Sequence, residues 1–244
     1  MIELREKPVV GMLCWESGKY PKGFDQLATL VGNTTNPATF DFPILYERVK
    51  GANYETVVLR PSEEVLNEMI KASLKMVNEG VKVVATSCGF NIIFQDKLAR
   101  AVNSVGKALV ATSSLLLVPL VSRMLGGRRV GIMTANSDAL TKEHLRAAGI
   151  DDSVPVCIMG IQDVGEWRKM IEDPEATIDL RKLEQEVTEK AKQLVNQCPD
   201  IGAIVLECTD LPPFAPSIRK ATGLPVFDVN MLITMLYKAS TNTK

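Results

Sequence analysis

The chain has 244 residues, 46% of them apolar and 23% charged, enough to bury a core without a metal or a disulfide framework. Its 28 basic and 29 acidic residues leave a formal charge of −1, which provides no basic surface for nucleic acid or an anionic membrane. The most apolar stretch, ALVATSSLLLVPLV (108–121), contains a proline and is too short to span a bilayer. The opening MIELREKPVVGML puts charges before a short, interrupted apolar run, so no secretory signal is read and a cytoplasmic location is expected.

In chain order, a strand is predicted over PVVGML (8–13), followed by a Gly-, Pro- and Asn-rich connection. YETVVLR (54–60) reads as a second strand. PSEEVLNEMIKASLKMVNEG (61–80) reads as a helix, with Pro61 and Ser62 at its start, Glu63 and Glu64 in its first turn and Gly80 at its end. Val65, Met69, Ala72, Met76 and Val77 line one face of it. VKVVAT (81–86) is apolar almost throughout, as a strand covered on both faces is. A helix over 91–104, a strand over 107–111 and a helix over 114–125 follow.

A second round begins with the strand RRVGIMT (128–134). A helix is predicted over 137–149, with Ser137 as its cap and Gly149 at its end. Then come a strand over 154–160, an amphipathic helix over 179–197, a strand over 201–207 and a proline-started helical piece over 212–223. A strand over 224–228 and a helix over 229–239 close the chain.

The rounds align at a constant offset. GMLCWESG (11–18) falls 120 residues before GIMTANSD (131–138), and Cys88 falls 120 residues before Cys208. The expected fold is therefore α/β, with two pseudo-symmetric lobes, each a mostly parallel sheet flanked by helices, and an active site in the cleft between them. Residues 1–112 with 225–244 are assigned to the first lobe and 113–224 to the second. In such sheets the carboxyl edge of the strands is the working end. Cys88 and Cys208 both fall just past a buried strand, so pseudo-twofold symmetry sets one thiol on each side of the cleft.

Paired thiols suit the removal of a proton beside a carboxylate, with one thiol as base and the other as acid on opposite faces of the carbon. Each is followed by a helical start whose free N–H groups can favour a thiolate or a developing enediolate. Ser17, Thr134 and Asn136 lie on the first strand–helix loop of each half and are candidates to hold a substrate carboxylate, as is Ser87 beside the first thiol. Asp210 is placed to orient Cys208 or a substrate ammonium, and its charge would raise the thiol's pKa. Cys157, Cys198 and Cys14 read as small buried hydrophobes rather than disulfide partners, because the five cysteines are odd in number and widely spaced. His144 is the only histidine and reads as a surface or internally satisfied side chain. With so little imidazole, no metal site is expected.

VVATSCGFN (83–91), IVLECTDLPPF (204–214), the GMLCWESG opening and RRVGIMTANSDALTKEHLRAAG (128–149) together resemble the aspartate/glutamate/hydantoin racemase superfamily, related to maleate isomerases and arylmalonate decarboxylases. The resemblance covers nearly the whole chain. It implies cofactor-independent chemistry without pyridoxal phosphate or metal, Cys88 and Cys208 as the acid/base pair, and Asn91 and Thr209 as groups that bind the substrate carboxylate, with Ser87 and Thr134 beside them. The departures are Gly89 and Phe90, where amino-acid racemases carry asparagine and threonine, and Asp210 in place of histidine or glutamate. The function expected is a racemase or epimerase of an amino acid or related small carboxylate. A cis–trans isomerase of a small dicarboxylate and a non-catalytic carboxylate-binding protein are the alternatives. A homodimer is the assembly expected on general grounds.

Overall fold

The computed structural model describes residues 7–16, 18 and 20–241. The chain lays down β1 (Val10–Cys14), α1 (Lys22–Leu27), β2 (Ile44–Arg48), α2 (Glu63–Asn78), β3 (Val83–Thr86), α3 (Gln95–Val105), β4 (Leu109–Ala111) and α4 (Val118–Met124). It then continues through β5 (Arg129–Thr134), α5 (Lys142–Ala147), β6 (Val156–Gly160), α6 (Gly165–Glu172), α7 (Leu180–Gln197), β7 (Ile201–Leu206), α8 (Ala215–Thr222), β8 (Val226–Phe227) and α9 (Val229–Ser240). Two four-stranded sheets result, ordered β2-β1-β3-β4 and β6-β5-β7-β8. Every pairing within them is parallel.

The same order appears twice because the same apolar pattern is written twice. Central strands β1, β3 and β7 are buried at every residue, as a sheet covered on both faces requires. Alternation along a strand sends its side chains to opposite faces. Leu13 and Val84 pack on the α2 and α3 side, whereas Val10, Met12, Cys14, Val83 and Ala85 meet Val229 and Ile233 of α9. Gly11 and Gly131 mark equivalent close approaches of helix to strand. A Cβ at Gly11 would fall 2.5 Å from the Met76 sulfur on α2, and one at Gly131 would fall 3.0 Å from Leu194 on α7.

The last strand and helix divide between the sheets. β8 pairs with β7 in the second sheet, and α9 packs back on β3 and β4 of the first. The return therefore falls at Asp228, which caps α9 by accepting from the Met231 N–H at 3.0 Å, just beyond the boundary expected at 224/225.

Three sequence expectations are corrected. Residues 54–60 are not a strand: Glu55–Leu59 form a wide helical turn. The Asn53 side chain accepts from the N–H groups of Glu55 and Thr56, which starts a helix there, and the strand beside β1 is β2. The helix expected over 137–149 is only Lys142–Ala147. Asn136 takes the N–H groups of Asp138 and Ala139 in a turn, and Thr141, not Ser137, caps the helix in a reciprocal capping box with His144. Cys157 and Cys198 are joined in a disulfide, with Cα atoms 6.7 Å apart, so neither is a free thiol. Strand β6 and the end of α7 lie side by side although 41 residues separate them in sequence, a tertiary closeness that spacing does not reveal. No helix of the described residues is long and apolar enough to cross a membrane.

Candidate active site

Both remaining thiols of interest lie at carboxyl edges, one per sheet, and line a single cavity of about 160 Å³. That volume suits a small metabolite rather than a drug-sized molecule, whose pockets span roughly 300–1,000 Å³. Cys88 follows β3 and caps a short 3-10 turn over Gly89–Phe94; Cys208 follows β7. Each sulfur accepts from the backbone N–H two residues on, that of Phe90 for Cys88 and that of Asp210 for Cys208. The backbone geometry is thus repeated, but the side chains are not. Beside Cys88 stands a buried phenyl ring, whereas Asp210 Oδ2 lies 3.9 Å from Cys208 Sγ. Asp210 is itself held by Asn33, whose amide donates to Oδ1 at 2.8 Å.

Neither thiol is poised as a thiolate. Burial, and next the charge of Glu207, push Cys88 well above its ordinary pKa; burial, Asp210 and Glu207 do the same to Cys208. The N–H groups at the helical starts favour the thiolates, as expected from sequence, but do not outweigh burial. The acids move as well. Burial raises Glu207 to about 7 and Asp210 to about 6, in each case against hydrogen bonds that favour the carboxylate.

Besides Phe90, five aromatic residues line the cavity and make up its aromatic wall: Trp15, Tyr20, Phe24, Tyr54 and Trp167. Both tryptophans of the chain are among them. Phe24 is the hub, edge-on to Trp15 at 5.8 Å and to Trp167 of α6 at 5.7 Å, and so joins the two halves across the cavity. The indole N–H of Trp15 is buried without a partner. Arg48 and Asp25 complete the charged lining.

The other sequence candidates are distributed unevenly. Ser87 and Thr209 lie on the wall. The Thr209 hydroxyl donates to the Ser87 carbonyl at 2.5 Å, and the Ser87 hydroxyl bonds the Cys14 sulfur, so both are engaged within the protein. Thr134 is behind the wall, donating to Glu207 Oε2 at 2.8 Å. Asn136 is also behind it, donating to the Tyr54 hydroxyl at 3.3 Å. Asn91 is buried away from the wall, its side-chain oxygen without a partner. Ser17 lies outside the described residues. Cys14 faces α9 rather than the cavity, and burial raises it to about 11. His144 is buried at the helix cap, its ring edge-on to Phe90 at 5.5 Å.

Sequence reasoning missed Glu207 and the aromatic wall. Glu207 left a trace, an acid ending the otherwise apolar strand IGAIVLE directly before a thiol, where a carboxylate is expensive to bury. The aromatic residues left none, because they come from four separate segments.

The model of the Asp/Glu/Hydantoin racemase family matches residues 111–235, half of the chain. The chain belongs to this family. Its fold is similar to that of arylmalonate decarboxylase, with a TM-score of 0.63 and 18% identity over 97% of this chain and 94% of that one. Among curated relatives it is similar to dimethylsulfoniopropionate lyase of Durusdinium sp. clade D, 34% identical over 206 residues, which are 82% of this chain and 66% of that protein. It is also similar to dimethylsulfoniopropionate lyase 6 of Emiliania huxleyi (strain CCMP1516), 28% identical over 81% of this chain and 53% of that protein. The chain thus spans between half and two thirds of the length of these relatives. The superfamily is one of cysteine-based enzymes acting on small carboxylates, and both of these relatives are named as lyases.

Proposed function

We propose that the protein is a cofactor-independent lyase that removes the α-proton of a small carboxylate bearing an onium group on the β-carbon, with dimethylsulfoniopropionate as the first candidate. The observation that carries this reading is the unequal pair: Cys208 has a carboxylate at 3.9 Å to receive its proton, and Cys88 has a phenyl ring instead. Elimination needs one competent base on one face of the carbon. Inversion needs two.

In the proposed step Asp210 takes the thiol proton of Cys208, following the logic of a nucleophile paired with an oriented base, here oriented by Asn33. The Cys208 thiolate then takes the proton from the carbon next to the carboxylate. The electron pair released forms the carbon–carbon double bond, the β-carbon–sulfur bond breaks, and dimethyl sulfide leaves with that bond's electrons. Acrylate remains, Cys208 ends protonated, and the proton that Asp210 took passes to water, so that Asp210 can accept the thiol proton again in the next cycle. The aromatic wall suits the sulfonium, a cation without N–H donors, which ring faces attract by about 0.5–2 kcal/mol per contact. Arg48 and the unpartnered Trp15 N–H are the groups available to the carboxylate.

A second reading, racemisation or epimerisation of an amino acid or related carboxylate, is favoured by the presence of both thiols in one cavity at matching backbone positions. Incubating the protein with dimethylsulfoniopropionate in deuterated buffer and measuring headspace dimethyl sulfide tests the first. Release of dimethyl sulfide with acrylate, abolished in Cys208→Ser, is the expected result. No release, together with solvent deuterium entering the α-carbon of an amino acid with inversion, would replace the lyase reading by the second.

A further inference from the structure

Glu207 has no part in the step above, yet it is the most deeply enclosed acid of the cavity. It is 0% exposed, and no lysine or arginine forms an ion pair with it among the described residues. One oxygen, Oε2, accepts from the Thr134 hydroxyl, and the Ala135 N–H favours the carboxyl as well. The other, Oε1, has no partner. It lies against Gly89, where an added Cβ would come within 2.3 Å of both Oε1 and the Glu207 carbonyl. Gly89 is the residue after Cys88 and Glu207 the residue before Cys208, so the carboxyl is wedged between the two thiol-bearing loops. Its charge acts on both sulfurs.

A fully enclosed carboxylate with no cation is costly, and the group avoids that cost by keeping its proton. The donors at the carboxyl favour its charged form, but Oε1, shut in against Gly89 with no donor, gives the charge no support, and burial outweighs them. The titratable groups that share its surroundings are Cys88, Cys208 and Asp210, with Arg48 and Asp25 on the same wall. We propose that Glu207 is a positioning residue that serves the thiol pair as a neutral acid, and that its ionisation holds both thiols in their protonated, unreactive form. Substrate is thereby processed with one negative charge in the thiol region rather than two. The raised pKa of about 7 sets the range in which the change occurs.

This inference rests on the thiols being the working groups, as proposed above, but its test needs no substrate. The wild-type chain, Glu207→Gln and Thr134→Val are treated with iodoacetamide, an uncharged reagent, between about pH 5.5 and 9. Alkylation of Cys88 and Cys208 is followed by peptide mass mapping. Glutamine keeps the size and removes the charge. The rate ratio of Glu207→Gln to wild type is expected to be near one at the acid end and to climb through about pH 7. It should level off at roughly tenfold at both sulfurs. Thr134→Val removes a donor that favours the ionised carboxylate. It should leave the acid-end rate unchanged and move the wild-type inflection to higher pH, and it keeps the proposal testable if the glutamine variant fails to fold. A ratio independent of pH would make Glu207 merely structural, and a ratio falling below one above pH 7 would make it the thiols' base. Either result overturns the proposal. If the alkylation result holds and no dimethyl sulfide is released, the lyase reading fails alone.

Discussion

Asp210 stands beside Cys208 at the place that Phe90 holds beside Cys88, 120 residues earlier in the chain, and each donates its backbone N–H to the neighbouring sulfur. The duplicated backbone makes the thiols equivalent in position. The side chains make them unequal in chemistry, because only the carboxylate can accept a proton.

Serine at either cysteine is therefore expected to act unequally. Cys208→Ser should reduce turnover of dimethylsulfoniopropionate by roughly 10²–10⁴-fold, the range for a general base, while Cys88→Ser should lose less. Initial-rate measurements of dimethyl sulfide release on both variants check the order. Equal losses would favour two-faced proton transfer.

Asp210 must be ionised to receive the thiol proton, and burial raises its pKa to about 6. Activity is expected to rise with pH through about 6, since the proton-accepting form accumulates above the folded-state pKa. Asp210→Asn should lower kcat and remove that acid limb. A pH profile of kcat/KM on both proteins decides it.

Glu207 carries a stability cost whose sign follows from linkage. Its pKa is raised from 4.5 to about 7 by burial, so the folded state holds a proton that the unfolded chain releases. The contribution is fully present below about pH 4.5 and is lost as pH rises through about 7. Glu207→Gln is expected to match wild type at pH 4 and to gain on the order of 3 kcal/mol relative to it at pH 8. Urea denaturation at the two pH values measures the difference.

Trp167→Leu should weaken a cationic substrate more than its neutral isostere. The expected rise in KM for the sulfonium is roughly three- to thirtyfold, corresponding to about 0.5–2 kcal/mol of lost ring attraction. Kinetics with the sulfonium and inhibition by a thioether analogue, compared side by side, separate charge recognition from loss of shape.

Cys198→Ser lies outside the cavity and removes the Cys157–Cys198 bridge. It should lower stability by about 2–4 kcal/mol and leave kcat unchanged. Thermal melts with and without reductant give the same comparison on the wild-type chain.

The scaffold was legible in the sequence because it is made of local signals repeated twice. Apolar runs mark β3 and β5, Pro61, Ser62 and Gly80 mark α2, an amphipathic stripe marks α7, and the 120-residue spacing of Cys88 and Cys208 pairs the halves. β2 was not legible, since Ile44–Arg48 is a short run of half-buried residues inside a polar connection. Nor was the start of α5, where Asn136 spends its side chain on a turn that Ser137 seemed to cap. The site was readable only where it touches the strand ends. Its aromatic wall comes from loops and helices that converge solely in three dimensions, and the pairing of Cys157 with Cys198 depends on the same convergence.

The thiol-bearing loops are tied directly to each other, by the Thr209 hydroxyl on the Ser87 carbonyl, and to the 33–34 segment, by Thr34 on the Thr209 carbonyl and Asn33 on Asp210. The spacing of the two sulfurs is thereby fixed at the floor of the molecule. The aromatic lining is held instead by ring-edge contacts around Phe24. The station of the reactive atoms and the shape of the chamber that receives a substrate are therefore set by different kinds of contact, so that a changed ring alters which molecules fit without moving the sulfurs.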